Sequence, residues 1–151
     1  MKKRMRIPIL MLFFLAAAAG GAMAGEHQAE EAAAQKLLVT LMAADSQARG
    51  MALVLANQAI DQGAEVRVLL CGDGARLALT DYNPPRLKPR DVTPVQLLDR
   101  LMKNGVKVEV CAIFLPNTGY SEDDLSDGIG VADPADVANY MMQPDVKLFS
   151  Q

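Results

Sequence analysis

Apolar positions along this chain fall into short blocks that switch between continuous runs and helix-like spacing. Leu37 to Met42 is an apolar run broken only by Thr40, and it ends in Ala43-Ala44-Asp45-Ser46. A run of that length suits a strand covered on both faces. Asp45 or Ser46 is then an N-cap, and Met51, Leu53, Val54, Leu55 and Ile60 give the apolar pattern of a helix that closes at Gly63. Glu65 to Cys71 predicts a second strand and Gly72-Asp73-Gly74 a turn, followed by a helical turn over Ala75 to Leu79. Asp81 to Thr93 holds Pro84, Pro85 and Pro89 and is a loop, because proline lacks the donor that helix and sheet interiors need.

Thr93-Pro94 opens another helix, with Pro94 at its first position. Leu97, Leu98, Leu101 and Met102 form its buried stripe, and Asn104-Gly105 ends it. Val106 to Ile113 predicts a third strand, Pro116 to Gly119 a loop, and Ser121 to Leu125 a helical turn or two with an acidic start. Ile129 to Ala132 is a short fourth strand. Asp133-Pro134 starts a helix to about Met142, and Asp145 to Phe149 is the last strand. Strands and helices alternate throughout, which predicts an α/β domain: a five-stranded, mostly parallel sheet with helices on both faces.

The N-terminus stands apart from this pattern. Lys2, Lys3, Arg4 and Arg6 precede the uncharged apolar stretch Ile7 to Ala19, and Ala22-Met23-Ala24 places small residues at an A-x-A cleavage site. This order of features predicts a secretory signal over residues 1–24, with a mature chain from Gly25, a polar linker over 25–35 and one domain over 36–151. A spanning helix needs about 20 predominantly apolar residues, and this stretch dissolves into Ala and Gly first. No cysteine lies near the cleavage site to carry a lipid. The expected location is the periplasm, with no membrane association once the signal is removed.

Cleavage changes the charge. Of 15 basic and 18 acidic residues, four basic ones lie before Gly25, so the mature chain has a net charge of −7. Such a domain lacks the basic footprint that phosphate backbones require, which argues against nucleic acid as a partner. Two cysteines, Cys71 and Cys111, and one histidine, His27, are too few for a closed zinc site. His27 sits in the N-terminal linker, far in sequence from any candidate nucleophile. No phosphate loop, nucleophile elbow or cofactor motif is present.

In open α/β sheets ligands bind beyond the carboxyl ends of the strands. Asp45 and Ser46 fall there after the first strand, Cys71, Gly72, Asp73 and Gly74 after the second, and Cys111 with the loop through Asn117 after the third. Gly72-Asp73-Gly74 reads either as a backbone cradle for an anion or as a tight turn. Cys111 reads either as a functional thiol or as a buried one. No Lys, Arg or His flanks it, and Glu109 shares its face of the strand and would oppose ionisation. In the doubly wound strand order 2-1-3-4-5 the second and third strands flank the first. That order would separate the cysteines by about 10 Å, too far for a disulfide. Met51 and Met102 fall at helical core spacing, and the methionines, Met141 and Met142 included, read as core or interface filler rather than copper ligands. Glu122-Asp123-Asp124 reads as a solvated helix start rather than a metal site.

The succession Leu38 to Met42, Leu69-Leu-Cys-Gly-Asp-Gly-Ala75, Gly105-Val-Lys-Val-Glu-Val-Cys-Ala112 and Gly128-Ile-Gly-Val-Ala-Asp-Pro134 resembles the DsrE/DsrF-like family, small proteins of sulfur relay and sulfur oxidation. The resemblance spans about residues 36–149. It implies a flavodoxin-like sheet, a homo-oligomer built on trimers, and a persulfide-carrying cysteine at the position of Cys111. It brings no cofactor or metal, and its partners are sulfur donor and acceptor proteins. Export departs from the cytoplasmic relay systems and removes a role in tRNA thiolation. The expectation is therefore an exported sulfur carrier acting through Cys111. The alternative is a non-catalytic homo-oligomeric module that binds a small anion or a partner protein.

Overall fold

Strand alternation sorts the chain into two faces of a sheet, and the computed structural model, which describes residues 34–151, shows both. The strands are β1 (Lys36–Leu41), β2 (Glu65–Leu70), β3 (Lys107–Val110), β4 (Gly130–Val131) and β5 (Val146–Ser150). The helices are α1 (Ser46–Asp61), α2 (Pro94–Lys103), α3 (Phe114–Thr118) and α4 (Pro134–Met141), with short 3-10 helices at Gly72–Ala78 and Glu122–Asp124. The stretch 1–24 expected to be a signal, and most of the expected linker, lie outside the described residues. Among the described residues no helix is long and apolar enough to cross a membrane.

All five strands run parallel in a flavodoxin-like α/β sheet. Their order is β4-β3-β2-β1-β5, which corrects the order 2-1-3-4-5. From β1 to β4 the chain steps across the sheet in one direction. Right-handed crossovers then put α1 and α2 on one face, and the jump from β4 to β5 puts α4 on the other. Alternation alone does not tell which way each crossover steps, so the pattern that predicted the elements left their order open.

The faces differ in content. Val39, Leu41, Val66, Val68, Leu70, Val108 and Val110 point to α1 and α2, where Leu53, Leu98 and Leu101 complete the larger core. Leu38 and Leu69 point the other way, to Ala132, Val137 and Tyr140 around α4. Local sequence fixes the helix starts. Asp45 caps α1 through Ala48 N–H at 2.8 Å, and Thr93 and Gln96 form a reciprocal capping box on α2. Asp133 accepts from Ala135 N–H ahead of Pro134. Three further expectations fail. The third strand, expected to run to Ile113, stops at Val110. Pro116 to Gly119 is not all loop, because α3 runs through Thr118 and ends at Gly119, whose φ is +79°. Met51 is not core: it stands 56% exposed on the outer side of α1.

Candidate functional site

The carboxyl edge of the sheet holds both cysteines, and the strand order makes them neighbours. Leu70 pairs with Val110 in the β2–β3 ladder, and the next rung continues it, with Cys111 N–H donating to Leu70 O at 2.8 Å. Cys71 and Cys111 are thus adjacent residues on adjacent parallel strands. The separation of about 10 Å expected from the other order does not hold; strands side by side lie about 4.8 Å apart. Both are free, half-buried thiols. Burial, together with the Cys111 sulfur beside it, pushes the Cys71 thiol up to about 12.

Period-two alternation aims both side chains toward α4. There Cys111 lines a cavity of about 210 Å³ with Leu69, Ala132, Pro134, Val137 and Met141. The pocket is nearly all apolar, because β4 and α4 bring small and aliphatic side chains over the strand ends. One step further down the same face lies an ionic network with a buried Arg67–Glu109 pair at its centre. Arg67 donates to Glu109 Oε2 from Nε at 3.0 Å and Nη2 at 2.6 Å, and to Asp136 at 2.7 Å. Lys107 Nζ lies 2.9 Å from the other Glu109 oxygen. The Arg67 guanidinium also sits over the Tyr140 ring at 5.3 Å. The Arg67 and Lys107 cations hold the Asp136 carboxyl below the usual carboxylate range. Glu109 does share the cysteine face, as the alternation predicted, but its charge is matched by two cations.

The other predicted residues are mostly engaged in holding the edge together. Asp45 is committed to its cap, and Ser46 begins α1, half-buried. Gly72 takes φ +51°, a left-handed turn that suits glycine. Gly74 packs against β1: a Cβ there would lie 2.2 Å from the Leu41 carbonyl oxygen. The Asp73 carbonyl accepts from Arg49 at 3.4 Å, and its exposed side chain lies 3.7 Å from Arg76. Asn117, inside α3, donates to Ile113 O at 2.7 Å, turned back on its own helix. Glu122-Asp123-Asp124 forms a 3-10 turn whose Asp124 caps Ser121.

Four residues have roles that the sequence did not assign to them. Arg49 is buried within α1 and joins two edge loops by donating to the Ala44 and Asp73 carbonyls. It also stacks on Tyr82 at 5.4 Å. Arg67 and Lys107 were legible in principle, because each precedes its strand's cysteine by four residues and so shares its face. Met141 closes the thiol cavity from α4. Among the described residues no group of three or more His, Cys, Asp or Glu could hold a metal ion. A larger cavity, about 860 Å³, lies elsewhere, between α1 and the 86–92 loop, lined by Met51, Val54, Leu97, Arg86, Lys88 and Arg90 among others.

Comparison with known proteins agrees with this architecture. The sequence profile of the DsrE/DsrF-like family matches residues 12–148. An uncharacterized protein of Methanopyrus kandleri, MK0008, is 30% identical over 100 residues, covering 65% of this chain and 78% of that protein. The crystal structure of the YchN protein from E. coli superposes with a TM-score of 0.65 at 20% identity, over 78% of this chain and 99% of its own. MTH1491 from Methanobacterium thermoautotrophicum, a protein of unknown function, gives a TM-score of 0.58 at 16% identity, over 77% and 98%.

Proposed function

Because the chain belongs to the DsrE/DsrF-like family, we propose that it is an exported sulfur-handling protein whose Cys111 carries sulfane sulfur as a persulfide. The observation that supports this reading is the setting of Cys111: a half-buried thiol just past β3, opening on a small apolar cavity under α4. The Cys111 thiolate attacks the outer sulfur of a persulfide or polysulfide donor. A new S–S bond forms on Cys111, the donor's S–S bond breaks, and the donor leaves as a thiolate that takes up a proton. An acceptor thiolate then attacks the outer sulfur, leaves with it, and returns Cys111 as a thiolate. The apolar lining keeps water from the loaded sulfur, and the paired cations leave Glu109 little net charge to oppose it.

The protein works as a homo-oligomer built on trimers in this reading. Ile113 and Met142 near the site, and Leu148 on β5, are 71%, 83% and 59% exposed, apolar surface of the kind that subunit contacts cover. In the same reading the chemistry is periplasmic, supported by the order of basic, apolar and A-x-A residues over 1–24.

The test is loading. Reduced Cys71→Ser protein treated with polysulfide gains the mass of one sulfur on the peptide holding Cys111, while Cys111→Ser gains none. Equal uptake by both variants, or none by either, sinks the carrier reading. A second reading, a binding module, is favoured by the 860 Å³ cavity, where Arg90 stands beside apolar side chains while Arg86 and Lys88 are paired with Asp91. Alkylation of both cysteines leaves such binding intact and abolishes sulfur carriage.

A further inference from the structure

The sheet builds the two cysteines as a pair. Each follows the last residue of its strand, Leu70 and Val110 are partners in the parallel ladder, and the Cys111 amide continues that ladder by bonding to Leu70 O. A strand spacing of about 4.8 Å lies inside the Cα range of about 4.4–6.8 Å that a disulfide spans. Cys111 lines the cavity under α4, and alternation along β2 places Cys71 on the same face of the sheet.

We propose that Cys71 is a resolving thiol: it attacks a persulfide on Cys111, releases hydrogen sulfide and leaves a Cys71–Cys111 disulfide. This inference rests on the reading of Cys111 as the persulfide carrier. The Cys71 sulfur bonds to the inner, Cys111 sulfur. The bond between that sulfur and the outer one breaks, and its electron pair leaves with the outer sulfur. The Cys71 proton goes to the departing hydrosulfide, which leaves as hydrogen sulfide. The carried sulfur is reduced, the two thiols are oxidised to the disulfide, and no other reactant enters. A dithiol reductant restores the pair by exchange, taking up the disulfide's oxidation itself.

Position and protonation both fit Cys71 to this step. An acceptor protein approaching from solvent meets the outer sulfur first. The inner sulfur is reached from the neighbouring strand, where Cys71 stands. A thiol that holds its proton as firmly as Cys71 does is a weak nucleophile at rest. It also carries the proton that the leaving hydrosulfide needs. The protein therefore has two exits for its sulfur: transfer to an acceptor thiol when one is docked, and reductive release when none is. A sulfur-handling protein with Cys111 alone has only the first.

The experiment is a single-turnover chase. Dithiol-reduced protein is loaded briefly with polysulfide, desalted, and followed without reductant by intact mass and by hydrogen sulfide trapping. Wild type is expected to lose its added sulfur, release one equivalent of hydrogen sulfide per chain, and finish two hydrogens lighter than the reduced chain with Cys71 and Cys111 joined in peptide mapping. Cys71→Ser keeps the sulfur on Cys111 about tenfold longer or more, since exchange within a pair is replaced by exchange between molecules. Cys71→Ala, checked by circular dichroism, repeats the comparison if the serine disturbs folding, and the wild-type disulfide map is informative without either variant. Wild type that holds its persulfide as long as Cys71→Ser overturns the resolving role and leaves the carrier intact. Failure of both proteins to load overturns the carrier reading, and the resolving role with it.

Discussion

Replacing Arg67 by methionine should slow the chemistry of Cys111 without touching either cysteine. Arg67 neutralises Glu109 through two hydrogen bonds, and Glu109 stands two residues before Cys111 on the same face of β3. Two residues along a strand span about 6.6 Å. At an effective dielectric of about 20, a bare carboxylate at that distance opposes a thiolate by about 2.5 kcal/mol. Lys107, more exposed but 2.9 Å from the other carboxylate oxygen, keeps part of the compensation. About 1.4 kcal/mol, a tenfold loss of thiolate, is then the expected effect. The assay is pseudo-first-order alkylation of Cys111 at neutral pH in a Cys71→Ser background. Arg67→Met should label about tenfold more slowly, and Arg67→Met with Glu109→Gln should return to the parent rate. The same single substitution strands a buried carboxylate, a change that costs about 3–5 kcal/mol when no partner remains. The urea midpoint should fall by about 1–2 M, less if Lys107 compensates fully. Unchanged labelling in folded Arg67→Met, or no rescue in the double variant, refutes the claim that the network beneath Cys111 tunes its reactivity.

Gly74→Ala should destabilise the domain by about 1–3 kcal/mol in chemical denaturation, because its Cβ would meet the Leu41 carbonyl at 2.2 Å; an unchanged midpoint would show that the 3-10 helix floats free of β1. The raised Cys71 thiol gives an alkaline limb to stability. Unfolding frees a thiol that ionises near its ordinary value of 9.0, while the folded one holds its proton to about 12, so stability present below pH 9 declines as pH rises through that window. Cys71→Ser should flatten this decline, and parallel pH profiles for the two proteins would contradict it. Ile113→Glu with Met142→Glu should shift the sedimentation coefficient of the protein to that of a monomer, whereas no shift places the subunit contacts elsewhere. Protein recovered from the cell envelope should begin at Gly25 or within a residue or two; a full-length chain in the inner membrane would sink the reading of residues 1–24 as a cleaved signal.

The elements were legible in the sequence because their signals are local. Asp45, Thr93-Pro94 and Asp133-Pro134 each supply a cap within one turn of the helix they start. Alternation in Val66, Val68 and Leu70 marks a strand face whatever its neighbours are. Strand order is not local. Which neighbour β2 takes depends on the direction of a crossover, and the apolar pattern of β1 and α1 is the same for either choice. That one undetermined step separated Cys71 from Cys111 in the sequence reading and concealed the pair. The candidate cradle shows a second limit: Gly72 and Gly74 look alike in sequence, but one turns the chain at φ +51° and the other lets a helix approach a carbonyl. The ionic network under the thiols went unread because its cations, Arg67 and Lys107, belong to two strands and its second anion, Asp136, to a helix 29 residues from Lys107. Exposure of Met51 and Met142 likewise depends on surfaces that spacing along one helix does not report.

The central claim is that Cys111 carries sulfur. The most direct measurement is made on Cys71→Ser protein carrying residues 1–151, expressed in cells, quenched with an alkylating reagent before lysis and digested for peptide mass analysis. The peptide holding Cys111 should be recovered in part with an additional sulfur between the cysteine and the alkyl group, and that fraction should vanish after treatment with a dithiol reductant. Recovery of Cys111 only as the directly alkylated or unreacted thiol, in cells supplied with sulfane sulfur, would contradict it.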